Sequence, residues 1–142
     1  MTQKIFIDTD IILDLMAKRQ PFYENAAAIF SLIEQGKIKG FTSSLVIANL
    51  YYILSRQLSK KFTTSYLKQL RILIDIVPVN GKIIDLSLES NFSDFEDAIQ
   101  YNAAVSAGIS TLITRNVKDY KNPAITVCSP ENFLRMRSAQ NK

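Results

Sequence analysis

Short apolar runs rich in β-branched residues alternate with helix-period segments along the whole chain, and this alternation restricts the fold more than any other feature. Lys4–Ile7, Ile38–Thr42, Asp75–Val79, Ser110–Thr114 and Ile125–Cys128 read as strands. Between them, Ile11–Met16 reads as a short helical turn. Phe22–Gln35 carries Ala26, Ile29, Phe30 and Ile33 at helical spacing and stops at Gly36. Ser44 is the expected cap of a helix through Leu45, Ala48, Tyr52 and Leu54. Thr63 or Thr64 is expected to open the next helix, with Leu67, Leu70 and Ile74 on one side. Gly81–Glu89, Asp94–Ala107 and Pro130–Ser138 complete the set, with Gly108 as a stop and Pro130 near a helix start. Strands separated by helices form parallel sheets covered on both faces. The expectation is therefore one α/β domain over residues 1–142, a three-layer α/β/α sandwich around a central parallel sheet of about five strands.

In such sheets the reactive groups gather beyond the carboxyl ends of the strands. Asp8 and Asp10 follow the first strand, Thr42 and Ser43 the second, and Thr114, Arg115 and Asn116 the fourth. Asp8 leaves a buried run directly. Helix capping alone does not single it out, because Thr9 and Asp10 cap equally well. Ser93 and Glu96 have capping-box spacing, and Asp94 suits the positive end of the helix dipole. Asp97 lies past the capping positions and shares a helix face with Asp94. Asn116 and Asp119 suit an ordinary turn, yet with Asp8 and Asp97 they complete a ring of oxygen donors. Thr9, Ser43 and Thr114 are hydroxyls placed to support such a ring. Carboxylates crowded without a lysine repel one another, and Mg2+ or Mn2+ is the kind of ion that relieves this.

Composition removes the main alternatives. The 142 residues include no histidine, which excludes histidine-based triads, histidine general bases and the usual zinc sites. Cys128 is the only cysteine, so no internal disulfide forms; it is expected to be a small buried hydrophobe, and a reducing cytoplasm is the expected setting. No apolar run is long enough to cross a bilayer and the N-terminus has no signal-peptide pattern. Net charge is +4, but its distribution is uneven: residues 76–100 carry five acids against one base, between basic flanks. That layout suits a polyanion held around an acidic, metal-binding pocket. Arg56, Lys60, Lys61, Lys68, Arg71, Arg115, Lys118 and Lys121 are the candidate phosphate contacts, with plain surface charge the first reading for any single one of them. Tyr51, Tyr52 and Tyr66 are read first as core or interface packing, with base stacking as the alternative.

Three segments in order, Asp8-Thr9-Asp10-Ile11-Ile12-Leu13-Asp14, Asp94-Phe95-Glu96-Asp97-Ala98, and Leu112-Ile113-Thr114-Arg115-Asn116 with Asp119-Tyr120, resemble the successive motifs of PIN domains, most closely the VapC-type toxin ribonucleases. The resemblance runs from residue 4 to about residue 130. It implies a Mg2+- or Mn2+-dependent endoribonuclease, a homodimer, and a cognate antitoxin that enters the active-site groove. By motif, Asp8 is the first acidic ligand, Asp97 the middle one and Asp94 an additional acid. Asn116 or Asp119 supplies the fourth region, and Thr9 and Thr114 match the accompanying hydroxyls. Arg115 and Lys118 are expected near the substrate. One departure stands out: the family's usual glutamate after strand two aligns with Asn49, which brings no charge. Asp10 either compensates, leaving an active enzyme, or the protein is a degenerate PIN-like module that binds without cutting. Asp8-x-Asp10 also resembles the nucleophile motif of haloacid-dehalogenase-like phosphatases, although the chain is short for that family. A phospho-acceptor receiver domain fits less well, because no lysine follows strand five.

Overall fold

Five strands lie parallel in one sheet: β1 (Gln3–Ile7), β2 (Ile38–Ser43), β3 (Ile74–Val77), β4 (Thr111–Ile113) and β5 (Thr126–Cys128), in the order β3-β2-β1-β4-β5. The computed structural model describes residues 2–121 and 123–140. Seven α-helices are described: α1 (Thr9–Met16), α2 (Tyr23–Glu34), α3 (Ser44–Ser55), α4 (Lys60–Leu73), α5 (Gly81–Leu88), α6 (Phe95–Ser106) and α7 (Pro130–Gln140). A 3-10 turn spans Val117–Asp119.

The alternation of side chains along β1 builds both halves of the core. Ile5 and Ile7 join Ile12, Ile29, Phe30, Val46, Leu50, Leu67 and Phe133 on the face covered by α1, α2, α3, α4 and α7. Phe6 points the other way and packs with Ile83, Ile99, Ala103 and Leu112 under α5 and α6. All three β1 residues are fully buried, as expected for a parallel sheet with two covered faces. Each large aliphatic side chain buried in this way contributes roughly 1.5–3 kcal/mol. The three-layer α/β/α architecture is thus as expected. Among the described residues, no helix is long and apolar enough to cross a membrane.

Several boundaries differ from expectation, each for a local reason. Ser43, not Ser44, caps α3: its Oγ accepts from the Val46 N–H. Helix α4 begins at Lys60 because Ser59 accepts from the Phe62 N–H, which places Thr63 inside the helix and fully buried. β3 ends at Val77, before Pro78, which has no N–H to offer a ladder. Asp94, not Ser93, caps α6, accepting from the Asp97 N–H at 3.0 Å. The stops at Gly36 and Gly108 hold: both adopt positive φ, +74° and +70°, just past the ends of α2 and α6.

Gly40 lies opposite Ile5 in the middle of the sheet, where no room is left for a side chain. A Cβ there would lie 2.7 Å from Ile33 Cδ1 and 2.8 Å from Ile74 Cγ2. Gly40→Ala is expected to lower stability by about 1–3 kcal/mol. Gly81, at the first position of α5, has nothing within 4 Å of such a Cβ, so Gly81→Ala should add about 0.5 kcal/mol. Urea unfolding of the two variants checks both signs.

Candidate active site at the carboxyl edge of the sheet

The strand order changes direction at β1, where neighbouring crossovers run to opposite sides, and ligand crevices in open parallel sheets form at such points. The Asp8 N–H donates to the Ile113 carbonyl at 3.0 Å, continuing the β1–β4 ladder past the strand end. Its carboxylate is buried and held twice: Oδ1 accepts from the Thr9 N–H at 2.7 Å, and Oδ2 accepts from Thr114 Oγ1 at 2.9 Å. Asp8 is therefore the N-cap of α1 and a member of the acidic cluster at once. The Thr42 hydroxyl donates to the Ile7 carbonyl at 2.7 Å and fixes β2 beside it.

Helix α6 brings the second acid. Asp97, also buried, is subject to the charges of Asp8, Asp94 and Asp119. Burial first, and those three carboxylates next, push its carboxyl up to about 7. Asp8 is raised as well, by burial, against the opposing bonds from Thr9 and Thr114. Tyr120, 4% exposed, turns its hydroxyl toward Asp97 Oδ1 at 3.5 Å, the outer limit of a hydrogen bond. Burial and the surrounding carboxylates keep that phenol protonated far above its ordinary range, so it faces Asp97 as a donor. Ser43 is turned away from the acids, donating to Gln100 Oε1 at 2.6 Å, one helical turn beyond Asp97.

Asp10 lies beside this cluster. Its Oδ2 accepts from the Arg115 N–H at 3.1 Å, while Oδ1 is buried without a partner among the described residues. Burial and the charge of Asp8 raise it to about 6. The Arg115 guanidinium is folded back into the protein. Nη2 donates to Asp14 Oδ1 at 3.2 Å, Nε makes a charge contact with Oδ2 at 2.8 Å without hydrogen-bond alignment, and the group sits 4.0 Å from the centre of the Phe22 ring. Asp14 itself is fully buried. Asn116 and Lys118 have exposed side chains; Asn116 is engaged through its backbone, its N–H donating to Thr114 Oγ1 and its carbonyl accepting from the Asp119 N–H. Asn49 is half-buried on α3, and its amide has no hydrogen bond to a described residue.

The structure therefore gathers Asp8, Thr9, Asp10, Thr114, Asp94, Asp97 and Asp119 at one edge of the sheet, leaves Ser43 behind them, and holds the Arg115 guanidinium against Asp14, with Nε 4.0 Å from Asp10 Oδ2. Among the described residues no three acidic side chains already form a cage around a single point. The donor set is nonetheless hard, oxygen-only and net negative, and among the described residues Asp97 forms no ion pair with a cation. That chemistry fits Mg2+ or Mn2+. Sequence reasoning missed Tyr120, Gln100 and Asp14 as parts of the site. The available signals were helical spacing, three beyond Asp97 for Gln100 and four beyond Asp10 for Asp14.

Three outcomes follow for stability. A carboxyl raised from 3.8 to about 7 in the folded protein stabilises the fold below pH 4 relative to neutral pH, and that contribution is lost as pH rises toward 7. In EDTA, the melting temperature should fall between pH 4.5 and 8, and Asp97→Asn should flatten the slope. Arg115→Leu, which strands the buried Asp14 charge, should cost about 2–3 kcal/mol. Lys118→Ala should stay within about 0.5 kcal/mol by the same urea measurement.

A family model for the PIN domain matches residues 4–118. Ribonuclease VapC1 of Aquifex aeolicus is 29% identical over 137 residues, spanning 93% of this chain and 94% of that protein. A toxin–antitoxin complex from Klebsiella pneumoniae superposes with a TM-score of 0.67 at 22% identity, covering 89% of this chain and 97% of the matched one. The sarcin–ricin-loop-cleaving toxin VapC20 of Mycobacterium tuberculosis gives 0.59 at 16% identity, covering 76% and 86%. With the sheet order and the motif residues at one edge, the match over residues 4–118 identifies the chain as a member of the PIN domain family.

Proposed function

We propose that this protein is a metal-dependent endoribonuclease, the toxin of a toxin–antitoxin pair, acting through Asp8 and Asp97. The observation that carries the reading is the pairing of two buried acids, 89 residues apart in the chain, at the sheet switch point, with no ion pair to Asp97 among the described residues. The name of the Aquifex relative, a ribonuclease, and that of the Klebsiella complex support it. Asp8 and Asp97 would hold Mg2+ or Mn2+, with Asp94 and Asp119 completing the acidic surround. Asp119 is favoured over Asn116 because its charge acts on Asp97.

When bound, the ion supplies charge for the phosphodiester and acidifies water for in-line attack. The chain's own residues do the positioning. Thr114 and the Thr9 N–H lock the Asp8 carboxylate, Tyr120 donates toward Asp97, and Asp94 fixes the start of the helix that carries Asp97. Water as nucleophile makes the 2′-hydroxyl dispensable, and the resemblance to PIN ribonucleases implies 5′-phosphate and 3′-hydroxyl ends. Lys118 and Lys121 are exposed and free to meet RNA phosphates. A homodimer, a cognate antitoxin at the groove and a cytoplasmic setting belong to the same proposal.

The test is cleavage of RNA by purified protein with Mn2+ or Mg2+. Asp8→Asn and Asp97→Asn should each reduce the rate by at least about 100-fold, and EDTA should abolish it. Persistence of cleavage in EDTA would sink the metal mechanism. Asn49 motivates a second reading, a PIN-like module that binds without turnover, with Asp10 as the charge that argues against it. If Asn49 faces the ion, Asn49→Glu should tighten Mn2+ binding in a calorimetric titration; unchanged affinity places it outside the site.

A further inference from the structure

A cavity of about 410 Å3 opens beside the acidic cluster, within the size range of small-ligand sites. Ser90, Asn91, Phe92 and Ser93, in the loop before α6, form one side; Tyr101, Asp119 and Lys121 form the other. Phe92 is the middle of three rings. Its centre lies 5.4 Å from that of Tyr101 at a 42° tilt, and 5.5 Å from that of Tyr120 at 83°. Since Tyr120 reaches Asp97, the aromatic wall runs without a break from the cavity to the acids. Asp119 lines the cavity while its charge acts on Asp97.

Within this lining Ser90 Oγ is engaged with Ser87 and Phe92 and the Tyr101 hydroxyl accepts from the Ala124 N–H, but other polar groups are left over. The side chains of Asn91 and Ser93 are exposed and make no hydrogen bond to a described residue, and Lys121 makes no ion pair among them. An aromatic wall, an amide with both donor and acceptor, a hydroxyl and an ammonium together match the needs of a nucleotide. Ring faces stack on a base, amides read its edge, and ammonium meets phosphate. A metal ion alone needs none of these.

We infer that this cavity receives and reads one base of the RNA strand, next to the phosphodiester being cut. The inference rests on the ribonuclease reading above and adds to it a specificity site. Phe92 and Tyr101 supply the stacking wall, Asn91 and Ser93 the edge contacts, and Lys121 the neighbouring phosphate contact. Because Phe92 also packs on Tyr120, an occupied cavity holds the ring that donates toward Asp97.

The experiment is cleavage of single-stranded RNA oligonucleotides with randomised positions, with Mn2+ and sequencing of the new ends. Wild type should show a base preference at one nucleotide beside the cut. Asn91→Ala should shrink the ratio of best to worst base there by about fivefold. Phe92→Leu, which retains apolar packing, should raise KM by about tenfold, more than it lowers kcat. No base preference beside the cut, or a preference and KM unchanged in both variants, overturns the inference. If wild type cuts no RNA, the ribonuclease reading fails, and the cavity is then judged by NMR titration with the four ribonucleoside 5′-monophosphates. Shifts of the Phe92 and Tyr101 ring signals that favour one base and vanish in Asn91→Ala sustain base recognition, while no shift with any of the four overturns it.

Discussion

The hydrogen bond from Thr114 to Asp8 depends on the parallel pairing of β1 with β4, and most of the site depends on that bond. A carboxylate at the end of a fully buried strand has little water to solvate it, so the protein must supply partners or a proton. Thr114 and the Thr9 N–H supply two. Thr9 is the chain neighbour of Asp8, whereas Thr114 comes from the segment that the β1–β4 ladder places beside it and would not be there in another strand order. Sheet register and carboxylate position are thus one constraint seen at two scales.

What those partners do not supply is positive charge. Asp97 is brought in against Asp8 by α6, and burial with neighbouring acids raises both carboxyls above their ordinary range. Arg115 reaches Asp10 at 4.0 Å at the margin of this cluster, but its guanidinium is held mainly by Asp14 and Phe22. Packing energy from the rest of the fold sustains this crowding. Stability is therefore traded for a concentrated negative field at the sheet edge, a trade common at functional sites.

Much of this was legible in the sequence, for identifiable reasons. Ile-Phe-Ile before Asp8 is a strand with two buried faces, and the β-strand period alone divides Ile5 and Ile7 from Phe6. The strand-end rule then placed Asp8 and Thr114 together although 106 residues separate them. Capping was less legible. Ser43 and Ser44, Ser93 and Asp94, and Ser59 and Thr63 are chemically interchangeable as caps, and tertiary position chose between them. Ser43 is fixed by Gln100, and Thr63 lies in the core. Arg115 illustrates the other limit. Its charge and its place after a strand suit phosphate binding, but Asp14 has no other strong partner in the interior, and the buried acid captures the arginine. Nothing local in Thr-Arg-Asn announces a partner 101 residues away.

That captured arginine has a consequence for how the sequence can change over time. Through its backbone Arg115 holds Asp10, and through its side chain it holds Asp14, so one residue fastens two positions of α1 to the loop after β4. Loss of the arginine alone strands a charge in the interior, and loss of Asp14 alone frees a guanidinium beside an acidic cluster. Either intermediate is handicapped, whereas an exchange of both for apolar residues of matching volume removes the conflict. Positions 14 and 115 are therefore expected to drift as a linked pair across related chains, one inherited unit written in two distant places.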